Sequence, residues 1–181
     1  GCNDQGIYSI ALGSDAGCNS QGDYTVALGS YAGCNSQGQY SVALGHRAGM
    51  SAQSDYSIAL GSDAGSNSQG SNSVALGFRA GRNAQGSNSL ALGYRAGNNS
   101  QGDYSIALGY QAGCNTQAAN SIVINATSSA LENQLGNENS LVIKPIRNAS
   151  GTSALYYNSS TGEITSDILP NWDDLPNKIG D

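Results

Sequence analysis

ALG recurs at residues 11–13, 27–29, 43–45, 59–61, 75–77, 91–93 and 107–109, always 16 residues apart. An eighth copy, Ser121-Ile122-Val123-Ile124-Asn125, keeps the register and degrades the motif, and residues 1–128 contain no insertion or deletion. Gly fills Gly1, Gly17, Gly33, Gly49, Gly65, Gly81, Gly97 and Gly113, and Gln fills Gln5, Gln21, Gln37, Gln53, Gln69, Gln85, Gln101 and Gln117. So short a period admits few folds. Helical solenoids need repeats of roughly 30 residues and leucine-rich repeats roughly 20, which excludes both. Within Ser9-Ile10-Ala11-Leu12-Gly13 the apolar signal has period two: Ile10 and Leu12 share one face, and Ser9, Ala11 and Gly13 the other. Gly and Asn punctuate the repeat where turns with positive φ are easiest. One repeat therefore reads as one coil of an all-β solenoid holding two short strands. Eight coils stacked at ~4.8 Å rise roughly 38 Å.

Each coil contributes two large apolar columns, beginning at Ile10 and Leu12, and two small ones, at Ala11 and Ala16. A roll built this way is slim, its core is thin, and its Ala/Gly walls let another backbone come close. Self-association follows, as a homotrimer.

Composition narrows the function. The 25 glycines fall at fixed intervals, so disorder is not the reading. The net charge is −6, with six acids and four bases in residues 1–128 and seven acids and three bases in residues 129–181. Neither part clusters Lys and Arg as a nucleic-acid binder does. No apolar run is long enough to span a membrane, and no signal peptide is visible. The chain opens in mid-phrase on Gly1-Cys2, as a piece of something longer would.

The stretch SIALGSDAGCNSQGDYTVALG resembles the SVAIG-type repeats of trimeric autotransporter adhesin heads, lengthened by two residues in the AGxNxQG segment. That resemblance implies a left-handed parallel β-roll in a homotrimer. Three later segments, 120–126, 143–148 and 155–164, resemble the C-terminal run of fibre proteins from large DNA viruses and tailed phages. There a similar sequence leads from a repeat-built shaft into a terminal domain. The role implied is a virion surface fibre or attachment protein, located on the virion surface or extracellularly. The bacterial adhesin head is the first alternative, and a structural shaft or capsid-decorating protein without a receptor the second.

The domain expectation is a roll over 1–128, an enlarged closing coil over 129–150, and a hairpin with a C-terminal tail over 151–181. Asn139-Ser140-Leu141-Val142-Ile143-Lys144 echoes the segment at 120–125 after 19 residues instead of 16, as an atypical solenoid end would. Residues 153–165 form two strand-like runs around a turn at 158–162. Trp172 packs on the tail in preference to binding sugar.

No catalytic constellation is present, and the expectation is a non-enzymatic protein without cofactor. Cys2, Cys18, Cys34 and Cys114 share one column, and ligands in one line cannot surround a metal ion tetrahedrally. Disulfides between coils, free thiols and interchain contacts all remain open for them. Asp15 and Asp63 lie three coils apart, roughly 14 Å, too far for a paired-carboxylate glycosidase or a repeating calcium site.

Two adjacent positions vary while the frame holds still: Ser14-Asp15, Ser30-Tyr31, His46-Arg47, Ser62-Asp63, Phe78-Arg79, Tyr94-Arg95 and Tyr110-Gln111. Phe78, Tyr94 and Tyr110 stack in one column with Arg79 and Arg95 beside them. A stabilising aromatic ladder is the favoured reading, and a site for a host glycan or anionic group is the functional one. Tyr8, Tyr24, Tyr40, Tyr56 and Tyr104 form a second ladder, and the Asn and Gln columns form amide ladders that satisfy turn backbones. Sequons at Asn98, Asn125, Asn148 and Asn158 are candidate glycosylation sites.

Overall fold

The protein is described here from a computed structural model, in which residues 3–133, 137–146, 153–158 and 160–168 are described. Each of the first seven 16-residue repeats delivers two short strands, three residues long except for the four-residue last one, joined by two turns. The first strand of each pair is an Asn–Gln strand: β1 (Asn3–Gln5), β3 (Asn19–Gln21), β5 (Asn35–Gln37), β7 (Ser51–Gln53), β9 (Asn67–Gln69), β11 (Asn83–Gln85) and β13 (Asn99–Gln101). The second is an Ala–Leu strand: β2 (Ile10–Leu12), β4 (Val26–Leu28), β6 (Val42–Leu44), β8 (Ile58–Leu60), β10 (Val74–Leu76), β12 (Leu90–Leu92) and β14 (Ile106–Gly109). Each kind pairs only with its own kind, in parallel, giving a seven-stranded Asn–Gln sheet and a nine-stranded Ala–Leu sheet. β15 (Ile122–Asn125) and β16 (Leu141–Lys144) complete the second sheet. The register is one repeat per coil, with Ile10 opposite Val26 and Ile106 opposite Ile122. The last step, Ile122 opposite Leu141, takes 19 residues, so the chain makes an enlarged coil and still returns to the sheet. The expected parallel β-solenoid is therefore what forms.

The expected division of its faces does not form. The core is made of the small residues: Ala27, Ala43, Ala59, Ala75, Ala91 and Ala107 from the Ala–Leu strands, and Ala32, Ala48, Ala64, Ala80, Ala96 and Ala112 from the turns, are all fully buried. The Ile/Val and Leu columns lie on the outside, with Leu28, Leu44, Ile58 and Ile106 each 36–41% exposed. The Ala/Gly walls that were to meet another chain instead meet each other inside one roll. In a three-residue strand, alternation sends one side chain to one face and two to the other. Here the single inward place goes to Ala, which lets the two sheets approach closely.

Polar groups complete this thin core. The buried Gln side chains do not form the amide ladder expected of them. Gln37, Gln53, Gln69, Gln85, Gln101 and Gln117 each donate from Nε2 across the roll to a carbonyl of the preceding coil's Ala–Leu strand, 11 residues back, at 2.8–3.0 Å. Among the described residues one Gln–Gln bond occurs, from Gln21 to Gln37 at 3.2 Å. Ser41, Ser57, Ser73, Ser89, Ser105 and Ser121, also buried, donate to the carbonyl three residues back at 2.6 Å. The invariant glycine of the AG pair serves the Gln: a Cβ at Gly65, whose φ is +52, would lie 2.6 Å from Gln69 Oε1. The Asn column does form a ladder. Nδ2 of Asn19, Asn67 and Asn83 donates to the next coil's Asn at 2.7–2.9 Å.

By contact the chain divides into Gly1–Pro145 and Ile146–Asp181. The second unit contains an antiparallel hairpin of β17 (Ser153–Asn158) and β18 (Glu163–Ile168), closed by Gly162 N donating to Asn158 O at 2.7 Å. Among the described residues no helix is long and apolar enough to cross a membrane.

Candidate ligand-binding edge

Two turns join the sheets and make the two edges of the roll. The varied edge is built by the turn over residues 13–18 and its equivalents; the return edge is built by the turn over 22–25 and its equivalents. On the varied edge a residue with left-handed backbone recurs in every coil: Asp15, Tyr31, Arg47, Asp63, Arg79, Arg95 and Gln111, with φ between 47° and 57°. Local geometry thus requires the same strained conformation whatever the side chain, and packing leaves the side chain's identity open. That freedom is why the column varies.

The sequence-predicted residues Phe78, Tyr94 and Tyr110 come together. Their rings stack at 5.6 and 5.3 Å with interplanar angles of 18° and 8°. Parallel stacking turns ring faces toward one another and leaves edges for solvent, so no face between them is open to a sugar. The guanidinium of Arg79 lies 4.9 Å from the Phe78 centroid, and that of Arg95 lies 5.8 Å from Tyr94. Asp63, one coil before Arg79, reaches its Nε at 3.6 Å. Arg82, three residues past Arg79 on the same turn, was not among the predicted site residues. Its signal was available, since it stands in a column otherwise holding Cys, Met, Ser and Asn. Nε of Arg79, Arg82 and Arg95 is sealed from solvent and has no hydrogen-bond partner among the described residues.

The same column ends at Cys114. Burial, then the hydrogen bond from its Sγ to Glu132 Oε1 at 2.9 Å and the Glu132 charge, push its thiol up from 9.0 to about 12, against a smaller pull from Arg95. Cys34 and Cys114 are free thiols. Among the described residues no three His, Cys, Asp or Glu gather as metal ligands would.

The return edge carries the second ladder. Tyr8, Tyr24, Tyr40 and Tyr56 stack at 5.0–5.1 Å, and each has φ of 54–58°. Beside them Asp23, Asp55 and Asp103 accept hydrogen bonds at 2.8 Å from the backbone N–H of Ile7, Gln39 and Ser87, one coil earlier.

The sequon asparagines are placed differently from one another. Asn98 is 9% exposed. Asn125 is buried, and its Nδ2 donates to the carbonyls of Tyr110 and Ser129, each at 2.6 Å, so a glycan there would displace both bonds. Asn158 is exposed, with Oδ1 accepting from the N–H of Ser160 at 2.9 Å. Cys2, Asn148 and Trp172 lie outside the described residues.

The family of the YadA head domain repeat (2 copies) matches residues 5–32, 36–64, 52–80 and 84–112, more than half of the chain. No curated protein and no solved structure gives a match.

Proposed function

The chain belongs to the family of the YadA head domain repeat, and from that premise we propose that it is the head segment of a homotrimeric, surface-presented adhesin without enzymatic activity. The observation that carries this reading is the outer face of the nine-stranded sheet. Its Ile, Val and Leu columns run unbroken from β2 to β16 while the core is supplied by alanine. Soluble monomers rarely display a contiguous apolar face of that extent, and burying it against two copies removes it from water. In the three-residue Ala–Leu strands two positions face outward for each one that faces inward, an excess of apolar surface that burial against other copies would use.

The virion-fibre expectation draws on segments 120–126, 143–148 and 155–164, all beyond the last matched residue, 112. The matched residues favour the bacterial-type adhesin head, which is the reading adopted; its heads are extracellular and exposed at the surface. Sedimentation equilibrium and adhesion to cultured cells test it together. A trimer that adheres supports it. A stable folded monomer at micromolar concentration refutes the assembly, and a trimer that adheres to no cell type leaves a structural shaft.

A further inference from the structure

All four cations of residues 1–128 stand on the varied edge: Arg47, Arg79 and Arg95 in one column, and Arg82 in the column beside it. The acids are divided. Asp23, Asp55 and Asp103 occupy the return edge, where they are spent on backbone N–H groups. Between residues 46 and 98 the varied edge holds four arginines against Asp63 alone, on a chain whose net charge is −6. Arg79 and Arg95 are one coil apart, ~4.8 Å along the axis. Like charges so close repel unless an anion lies across them.

We propose that Arg47, Arg79, Arg82 and Arg95 form a binding edge for a linear sulfated polysaccharide, laid along the solenoid axis with its sulfates on the guanidinium groups. The proposal rests on the surface-adhesin reading for where the ligand is met, and on the edge alone for its chemistry.

Three features select this class. First, Nε of Arg82 and Arg95 has no acceptor within the chain and Arg79 Nε has only the Asp63 carboxylate at 3.6 Å, so the cationic groups of this edge are left largely uncompensated among the described residues. Second, Arg79 and Arg95 are already held against Phe78 and Tyr94, so less side-chain freedom is lost when sulfate binds. Third, the aromatic ladder closes its ring faces on itself, so it offers no platform for the stacked bases of a single-stranded nucleic acid. A duplex, uniformly charged along its length, would need a longer basic track than these coils provide and would meet Asp15 and Glu132 at its two ends. A flexible chain with discrete sulfates fits between them.

The test uses the whole assembled chain on immobilised heparin at ~0.15 M ionic strength. Wild-type protein is expected to be retained and released by salt. Arg82→Gln/Arg95→Gln is expected to weaken binding roughly tenfold or more, from lost charge-assisted bonds. Asp63→Asn is expected to tighten it, and Asp103→Asn, on the return edge, to leave it unchanged. The proposal is overturned if folded wild type is not retained, or if the double variant, with wild-type circular dichroism, binds as wild type. Equal binding to fully desulfated heparin, or displacement by duplex DNA at matched charge, also overturns it. On cells, enzymatic removal of sulfated chains should abolish adhesion. Undiminished adhesion sinks this inference and leaves the adhesin reading standing, whereas heparin retention without any cell adhesion does the reverse.

Discussion

The two sheets of the roll are made by the same coils, in the same register, and present opposite surfaces. The Asn–Gln sheet shows water a ladder of asparagines, and a left-handed residue in mid-strand turns the chain so that Asn faces out and Gln in. The Ala–Leu sheet has no such kink, so plain alternation applies: Ala in, Ile or Val and Leu out. The polar sheet is complete within one chain, since its Asn amides bond one another. The apolar sheet leaves its larger side chains partly exposed among the described residues, with Leu28, Leu44 and Ile58 36–41% open to solvent. The difference teaches that hydrophobic size is a poor guide to the core when a coil is this narrow. What fills a core is what fits the gap between the sheets.

The comparison breaks most visibly if a large residue is placed inside. Ala75→Leu, at a fully buried position, should cost about 3 kcal/mol by overpacking, read from denaturant unfolding. An unchanged midpoint would mean that the sheets have room to spare. The next largest effect is on assembly. Leu44→Asp/Leu76→Asp, on the outer apolar face, should abolish the oligomer in sedimentation while far-UV circular dichroism stays that of wild type. An intact oligomer would show that another surface joins the copies.

Smaller changes sharpen the picture. Gln69→Leu removes the strap to Ile58 O at 2.8 Å and should cost about 1–2 kcal/mol in thermal unfolding, because a carbonyl loses its donor. Asn83→Ala, in the half-buried stretch of the Asn ladder, should cost about 0.5 kcal/mol by the same measurement. A reversed order would place the structural weight on the polar surface instead of the strap. Last, Cys114 should resist alkylation at pH 8 in the folded protein and react on unfolding, since the thiolate is the nucleophile. Its raised value makes the linkage run one way. The stabilisation is complete below pH 9 and is lost as pH rises from 9.0 toward about 12. Equal labelling of folded and unfolded chains at pH 8 would contradict the burial of this thiol and, with it, the contact with Glu132.

Much of this was legible in the residues. Seven ALG copies without a single insertion required coils in register, and the tail echo at 139–144 gave the 19-residue closing step. The ring ladder of Phe78, Tyr94 and Tyr110 followed from a shared column. Alternation showed that Ile10 and Leu12 share a face, yet alternation is symmetric and cannot say which face is inside. The Gln column was recognised as important and given the wrong partner, because bonding across a core depends on how far apart the sheets stand. Arg82 was passed over because it lies three residues from the positions that visibly varied, in a column read for its cysteines.

The sequence by itself determined the coil length, the parallel stacking and the columns, because a strict period with no slip leaves each residue only its own counterpart to lie against. The tertiary structure alone decided which columns are core and which are surface, and which arginines share an edge. Those depend on the distance between two sheets and on the path of the turns between them. Both are set by left-handed residues and by the size of alanine, acting together across the roll.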